Sequence, residues 1–180
     1  MERENRALLL GTFNPFHIGH LLCVITVYNR YIVDKIEIIP AWQNPWKNKT
    51  GNFDIRCEIV ETMIEGLDNI VTVSRIEGKI KPKYTCELLE YLKRTNPNID
   101  YSLICGTDTA NNITKWKNGQ WIKDNFNIIE IDRPTDDSEQ LNGINISSTK
   151  IRSMIKNGEN PIPFINLETF NLIKKHKIYD

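Results

Sequence analysis

The stretch Gly11-Thr12-Phe13-Asn14-Pro15-Phe16-His17-Ile18-Gly19-His20 decides how this 180-residue chain is interpreted. It follows a short apolar run, residues 7–10, that is typical of a buried strand. It leads into residues 18–31, where apolar side chains recur with the spacing of a helix. A strand, a tight turn opened by glycine and a helix start thus come in succession. In parallel sheets covered by helices, ligands bind at such turns, so we expect a functional site here.

The same alternation of strand and helix continues through the chain. Further strands are predicted at 35–40, 69–74, 101–105 and 127–131. Further helices are predicted at 53–66, 84–94, 148–157 and 167–175, with one or two short helices in 109–124. This pattern predicts an α/β fold, a doubly wound parallel sheet with helices on both faces, in a single domain over residues 1–180. Two polar loops, 41–51 and 132–145, interrupt it, and the first is longer than the usual connection, as functional loops tend to be.

Composition narrows the possible functions. The chain has 23 basic and 23 acidic residues, a formal net charge of zero, and 40% apolar residues. Non-specific nucleic-acid binding and electrostatic membrane binding both need a surplus of cations, so neither is expected. No apolar run approaches the roughly 20 residues that span a bilayer, and residues 7–10 are too few for a signal peptide. We therefore expect a cytoplasmic protein whose four cysteines are free thiols.

Two histidines, His17 and His20, lie three residues apart at the predicted helix start, so both can face the same side. A helix start offers N–H groups and a partial positive charge, which favour an anion. Gly19 lacks a side chain, so a ligand can come close. The pair is also compatible with metal ligation or a purely structural role. Because no third clustered ligand is evident, a phosphate site is favoured and no protein metal site is expected.

A second group of polar residues occupies 145–152, Asn-Ile-Ser-Ser-Thr-Lys-Ile-Arg. Its three successive hydroxyls, Ser147, Ser148 and Thr149, are more than one helix cap needs. The surplus hydroxyls and amides can hold phosphate oxygens, and Arg152 lies one turn further on. A guanidinium can bind two phosphate oxygens with parallel hydrogen bonds. The alternative is a well-capped helix without a ligand.

Together the two stretches resemble the signatures of the nucleotidyltransferase superfamily that shares a His-x-Gly-His element with class I aminoacyl-tRNA synthetases. Here that element is His17-Ile18-Gly19-His20, and residues 146–152 match the second signature. The resemblance implies a Rossmann-like nucleotidyltransferase fold in which both imidazoles contact ATP phosphates as pyrophosphate departs. It implies catalytic roles for His17, His20 and Arg152. It implies an ATP site made of Gly11, Thr12, Phe13, Gly19, Gly106, Asp108, Ile146, Ser147, Ser148 and Thr149.

Residues in the middle of the chain indicate which branch of this superfamily the chain resembles. Gly106-Thr107-Asp108 followed by Trp116 is similar to the Gly-x-Asp…Trp segment of nicotinate/nicotinamide mononucleotide adenylyltransferases. Asp108 can accept hydrogen bonds from ribose hydroxyls or cap a helix, and Trp116 can stack on a pyridine ring or pack in the core. Lys47 and Arg56 can neutralise phosphate or remain solvated. Residues implied to contact the second substrate are Asn14, Lys47, Arg56, Thr85, Trp116 and Arg133.

The resemblance implies an enzyme of NAD biosynthesis, an adenylyltransferase that joins ATP to nicotinate or nicotinamide mononucleotide and releases pyrophosphate. Mg²⁺ would be carried by the ATP, and neither a nucleic acid nor a membrane is an expected partner. Leu10 stands where the family usually has Gly, and Asn14 where it usually has Asp. Alternatives are a phosphopantetheine or other small-substrate nucleotidyltransferase, and a catalytically silent nucleotide-binding sensor.

Overall fold

One parallel sheet organises the protein. The structure is a computed structural model that describes residues 3–43, 51–131 and 146–179. Its strands are β1 Glu4–Gly11, β2 Lys35–Pro40, β3 Val71–Val73, β4 Ile99–Gly106 and β5 Asn127–Ile131. Their order is β3-β2-β1-β4-β5, and every neighbouring pair is parallel. The predicted doubly wound parallel sheet is therefore confirmed.

The strands are apolar along their length because both faces of the sheet are covered. Successive residues of a strand point to opposite faces, and β1 shows the consequence. Ala7 and Leu9 join the core on one face, whereas Leu8 joins the core on the other. All three are buried, and burying a leucine contributes about 2 kcal/mol.

Helices cover the two faces in separate groups. The helices of the described residues are α1 Ile18–Arg30, α2 Phe53–Met63, α3 Ile76–Ile80, α4 Thr85–Thr95, α5 Thr107–Asn112, α6 Gly119–Asn125, α7 Ser148–Lys156 and α8 Leu167–Lys175. A short 3-10 helix spans Ile113–Lys115. Helices α1, α2, α7 and α8 contribute to the core that contains Leu9. Helices α4 and α6 and the 3-10 helix contribute to the core that contains Leu8.

The structure differs from the sequence prediction mainly where elements are short. Helix α3 was not predicted, because five residues are too few to display helical periodicity. Helix α2 ends at Met63 rather than at 66, and Gly66, at φ +84°, lies in the turn that follows. The predicted loops fall largely on residues 44–50 and 132–145, which lie outside the described part of the chain. Of the helices described, none is long and apolar enough to cross a membrane.

The switch in strand order places the loop after β1 beside the loop after β4, at the carboxyl ends of the strands. β1 has β2 on one side and β4 on the other, and Leu9 of β1 pairs with Ile104 of β4. The same register sets Gly11, where β1 ends, level with Gly106, where β4 ends. The chain leaves β1 for α1 and leaves β4 for α5. A crevice outside the strand ends at such a switch point is where doubly wound sheets bind ligands.

Candidate active site

The two histidines of the first motif lie side by side at the start of α1. His17 is the N-cap of this helix and His20 is its third residue, and their ring centroids are 3.8 Å apart. His17 is buried, at 5% exposure, whereas His20 is half-buried. The prediction that both imidazoles face the same side is therefore confirmed.

Aromatic rings hold His20 in place. The imidazole stacks on Phe16 with centroids 5.0 Å apart and meets Phe13 edge-on at 5.2 Å. Phe13 has a φ of +48°, which turns its ring back under Gly11. A Cβ at Gly11 would lie 2.7 Å from that ring, so glycine is required here by packing.

One hydrogen bond of His20 indicates the tautomer of its neutral imidazole. Its Nδ1 accepts the backbone N–H of His17 at 3.2 Å. A ring nitrogen that accepts a hydrogen bond is unprotonated, so the proton of the neutral imidazole is on Nε2. His20 therefore presents Nε2–H as a donor suited to a phosphate oxygen.

The start of α7 docks directly on the first motif. The Ser148 hydroxyl donates to the backbone carbonyl of Pro15 at 2.9 Å. Arg152 donates from Nη1 to the carbonyl of Asn14 at 2.7 Å and from Nη2 to the Thr149 hydroxyl at 3.0 Å. Hydrogen bonds thus join the start of α7 to the loop after β1, more than 130 residues earlier in the chain. The sequence predicts that both segments belong to one site.

A close approach between the motifs explains Gly19. A Cβ at this position would lie 3.0 Å from Nδ1 of His17 and 3.2 Å from Cγ2 of Ile146. We expected the missing side chain of Gly19 to leave space for a ligand, and His17 and Ile146 partly occupy that space. Gly19 lets the segment before α7 pack against the start of α1.

The three hydroxyls of the second motif have different tasks. Ser147 is the N-cap of α7 and accepts the backbone N–H of Lys150 at 3.2 Å. Ser148 uses its only hydroxyl proton for Pro15. Thr149 accepts from Arg152, so its own hydroxyl proton remains available to donate. Ser148 therefore joins the two motifs, and Ser147 and Thr149 are better suited to binding a phosphate.

Arg56 lies beneath this site. It is on α2, is 1% exposed, and donates to the carbonyls of Thr12 at 2.6 Å and Ala41 at 2.7 Å. Burial lowers the pKa of the guanidinium. Arg56 thus connects the loop after β1 with the segment after β2, and it is not a solvated surface charge.

A buried carboxylate supports the same segment. Glu77 of α3 is 8% exposed and accepts the backbone N–H of Trp42 at 2.6 Å. Burial raises the pKa of Glu77 to about 7, although the Trp42 hydrogen bond and the charge of Arg56 act in the opposite direction. Trp42 also packs edge-on against Phe53, with centroids 5.2 Å apart. The start of the 41–51 loop is therefore fixed by polar and aromatic contacts.

The remaining sequence-predicted residues lie on other elements of the fold. Gly106 is the N-cap of α5 and Asp108 is exposed in its first turn. Trp116, 36% exposed, ends the 3-10 helix that follows. Thr85 is half-buried at the first position of α4, which begins on the side of the sheet where the strands end. Lys47 and Arg133 lie outside the described residues.

A cavity of about 260 Å³ opens beside the docked motifs. Two guanidinium-bearing residues, Arg56 and Arg152, line it together with Asn14 and Tyr179. The Tyr179 hydroxyl donates to Oδ1 of Asn14. Two cations and no carboxylate among the described residues that line it make the cavity suited to an anion.

Sequence reasoning missed two members of this site. Glu77 lies on a five-residue helix, where no periodic pattern marks a buried position. Tyr179 follows α8, and nothing nearby in the sequence indicates that its hydroxyl reaches Asn14, 165 residues earlier.

All four cysteines are free thiols. Cys23 is half-buried and the other three are buried. Burial raises the pKa of Cys57 and of Cys105 to about 11, so both thiols stay protonated near neutral pH and are poor nucleophiles. Among the described residues, no group of three or more histidines, cysteines and carboxylates is placed to hold a metal ion.

Comparison with known proteins agrees with this geometry. Residues 8–154 match the family model described as cytidylyltransferase-like. A "probable nicotinate-nucleotide adenylyltransferase" of Clostridium tetani is 33% identical, over 98% of this chain and 99% of the relative. A protein of the same name from Flavobacterium johnsoniae is 32% identical, over 96% and 97%.

A solved structure shares the fold. It is the Plasmodium falciparum nicotinic acid mononucleotide adenylyltransferase complexed with NaAD, which matches with a TM-score of 0.79 at 20% identity, over 98% of both chains. The present chain therefore belongs to the cytidylyltransferase-like nucleotidyltransferases and, among them, to the nicotinate/nicotinamide mononucleotide adenylyltransferase family.

Proposed function

We propose that this protein transfers the adenylyl group of ATP to nicotinate mononucleotide, giving the deamido form of NAD and pyrophosphate. The observation that carries the proposal is the docking of α7 on the first motif through Ser148 and Arg152. It brings the histidines of α1 and the polar start of α7 to one place. The nicotinate preference is supported by the names of the two bacterial relatives.

The reaction needs no protein nucleophile. An oxygen of the mononucleotide 5′-phosphate attacks the α-phosphorus of ATP, and a new P–O bond forms. The bond from the α-phosphorus to the oxygen shared with the β-phosphorus breaks, and its electron pair leaves with pyrophosphate. The phosphate monoester is already an anion, so catalysis consists of positioning and charge stabilisation.

Residues of both motifs supply that stabilisation. Nε2–H of His20 and the His17 imidazole bind the β- and γ-phosphates on one side. The start of α7 and the Thr149 hydroxyl bind them on the other, and Arg152 adds a positive charge. Mg²⁺ enters with ATP as part of the substrate and neutralises the triphosphate.

The second substrate lies toward the loop after β2. Its phosphate enters the cavity lined by Arg56, Arg152 and Asn14. Trp116 stacks on the pyridine ring, and Asp108 accepts hydrogen bonds from the ATP ribose. Thr85, Lys47 and Arg133 complete the proposed contacts.

The test is incubation of the purified protein with Mg²⁺-ATP and each candidate acceptor. Products are separated by chromatography, and pyrophosphate is measured in parallel. We expect a dinucleotide with nicotinate mononucleotide and a lower kcat/KM with nicotinamide mononucleotide. Reaction only with phosphopantetheine, or only with CTP as donor, would assign a different nucleotidyltransferase. ATP binding without pyrophosphate release for any acceptor would overturn the proposal in favour of a sensor.

A further inference from the structure

Residues 176–179, here called the return segment, lead from α8 back to the active site. Lys177 and Tyr179 have φ values of +48° and +73°, a region that L-residues seldom adopt. The amide of Ile178 donates to the carbonyl of Ile173 at 3.1 Å, which ties the segment to the last turn of α8. The segment therefore has a fixed bend that directs Tyr179 toward the loop after β1.

The side chain of Tyr179 ends on Asn14. Its hydroxyl donates to Oδ1 of the Asn14 carboxamide, and the backbone carbonyl of the same residue accepts from Arg152. Asn14 is thus held at two points, by Tyr179 through its side chain and by Arg152 through its backbone. All three residues line the cavity that also contains Arg56.

The Tyr179 hydroxyl keeps its proton, and so remains a hydrogen-bond donor, over the whole physiological pH range. Burial raises the pKa of Tyr179 well above that of an exposed tyrosine, although the charges of Arg152 and Arg56 act in the opposite direction. The proton consequently stays on the hydroxyl and is available to Asn14. Because the Tyr179 hydroxyl donates to the carboxamide oxygen of Asn14, the NH₂ group of Asn14 points the other way. That NH₂ group is a donor and can bind a ligand.

We infer that Tyr179 is a positioning residue of the proposed reaction, one that orients Asn14 so that its amide NH₂ faces an anionic oxygen of substrate in the cavity. The inference rests on the proposed function and adds a residue outside both signature motifs. The cavity takes a phosphate-type anion because Arg56 and Arg152 line it. Tyr179 acts only through Asn14 and does not itself touch the reacting atoms.

The experiment is a double-mutant cycle with Tyr179→Phe and Asn14→Ala. Tyr179→Phe removes one hydroxyl and keeps the ring. We expect each single substitution to lower kcat/KM for the mononucleotide roughly five- to tenfold, as loss of one hydrogen bond does. Because both act through one contact, the double variant falls no further than the more damaging single one. Tyr28→Phe, the same change on the exposed face of α1, leaves kcat/KM unchanged.

Two results would overturn the inference: kcat/KM of Tyr179→Phe within twofold of the wild type, or effects that multiply in the double variant. A purely structural role for Tyr179 predicts a lower melting temperature without kinetic coupling to Asn14.

A second measurement does not depend on activity. In the ¹⁵N spectrum, the side-chain NH₂ signals of Asn14, identified by their loss in Asn14→Ala, shift in Tyr179→Phe and stay in place in Tyr28→Phe. Unchanged signals in Tyr179→Phe would show that the phenol does not hold Asn14. If the wild type forms no dinucleotide, the proposed function fails, whereas this comparison still decides the contact.

Discussion

The hydroxyl of Ser148 donates to the carbonyl of Pro15, 133 residues earlier in the chain, at 2.9 Å. This bond places the N-terminus of α7 against the loop that carries His17 and His20. Two helix starts with partial positive charge thereby face the same space. The proposed chemistry depends on this convergence more than on any single side chain.

Ser148→Ala tests the convergence. Loss of the hydroxyl leaves the Pro15 carbonyl without its donor and loosens α7 against the first motif. We expect kcat/KM to fall roughly five- to tenfold, measured by pyrophosphate release. Ser153→Ala makes the same change at an exposed position of α7 and is expected to keep wild-type activity. Equal rates for the two variants would mean that the Ser148 bond does not support catalysis.

His20→Ala tests charge stabilisation by the imidazole. Removing a well-placed donor from a developing charge costs about 10²-fold or more in turnover, and we expect that loss here. The control on the same helix is Arg30→Ala, since Arg30 is exposed in the last turn of α1. Circular dichroism checks that both variants remain folded. A His20→Ala enzyme with near wild-type turnover would exclude the imidazole from the phosphate site.

Arg56→Met tests the buried guanidinium through stability. The substitution keeps an apolar stem but leaves the part-buried carbonyls of Thr12 and Ala41 without these donors. We expect the free energy of unfolding, from urea denaturation, to fall by about 2–4 kcal/mol. Arg94→Met, at an exposed position of α4, is expected to change it by less than about 0.5 kcal/mol. If both variants lost a similarly small amount of unfolding free energy, the Arg56 hydrogen bonds would not stabilise the fold.

Glu77→Gln tests the raised pKa of the buried carboxyl. Burial raises this pKa from 4.5 to about 7, so the folded protein holds the proton more tightly than the unfolded chain does. The stability that this proton contributes is fully present below pH 4.5 and is lost as the pH rises through 7.

Glutamine stays neutral and still offers an oxygen to the Trp42 amide. The unfolding free energy of Glu77→Gln should therefore exceed that of the wild type by an amount that grows, up to roughly 3 kcal/mol, between pH 5 and 8. Glu65→Gln, at an exposed position, should show no such growth. A difference that stayed constant with pH would contradict a titrating Glu77.

Particular residues show which features of the fold and the site the sequence alone predicts. The periodic pattern predicted α1, α8 and β5 within a residue of their observed bounds, because apolar residues recur in each with the spacing of its helix or strand. The two motifs indicate His17, His20 and Arg152 as candidate phosphate ligands, because these residue types suit a phosphate at or near a helix start, and those roles stay predictions. The sequence indicates donors in this way, but it does not identify their acceptors.

Acceptors depend on packing between distant segments. Ser148 was expected to bind phosphate, and its hydroxyl instead donates to Pro15. Arg56 was weighed between a phosphate ligand and a surface charge, and it is a buried link between two backbone segments. Tyr179 and Glu77 were not noticed, because their partners Asn14 and Trp42 are distant in sequence and no local pattern indicates the contacts.

A structure of the protein with an ATP analogue whose α–β bridge cannot be cleaved tests the central claim most directly. The account predicts one triphosphate with oxygens about 2.7–3.2 Å from Nε2 of His20 and, at the same time, from donors of Ser147 or Thr149 at the start of α7. A triphosphate that contacts only one of these helix starts, or that lies away from both, would contradict it.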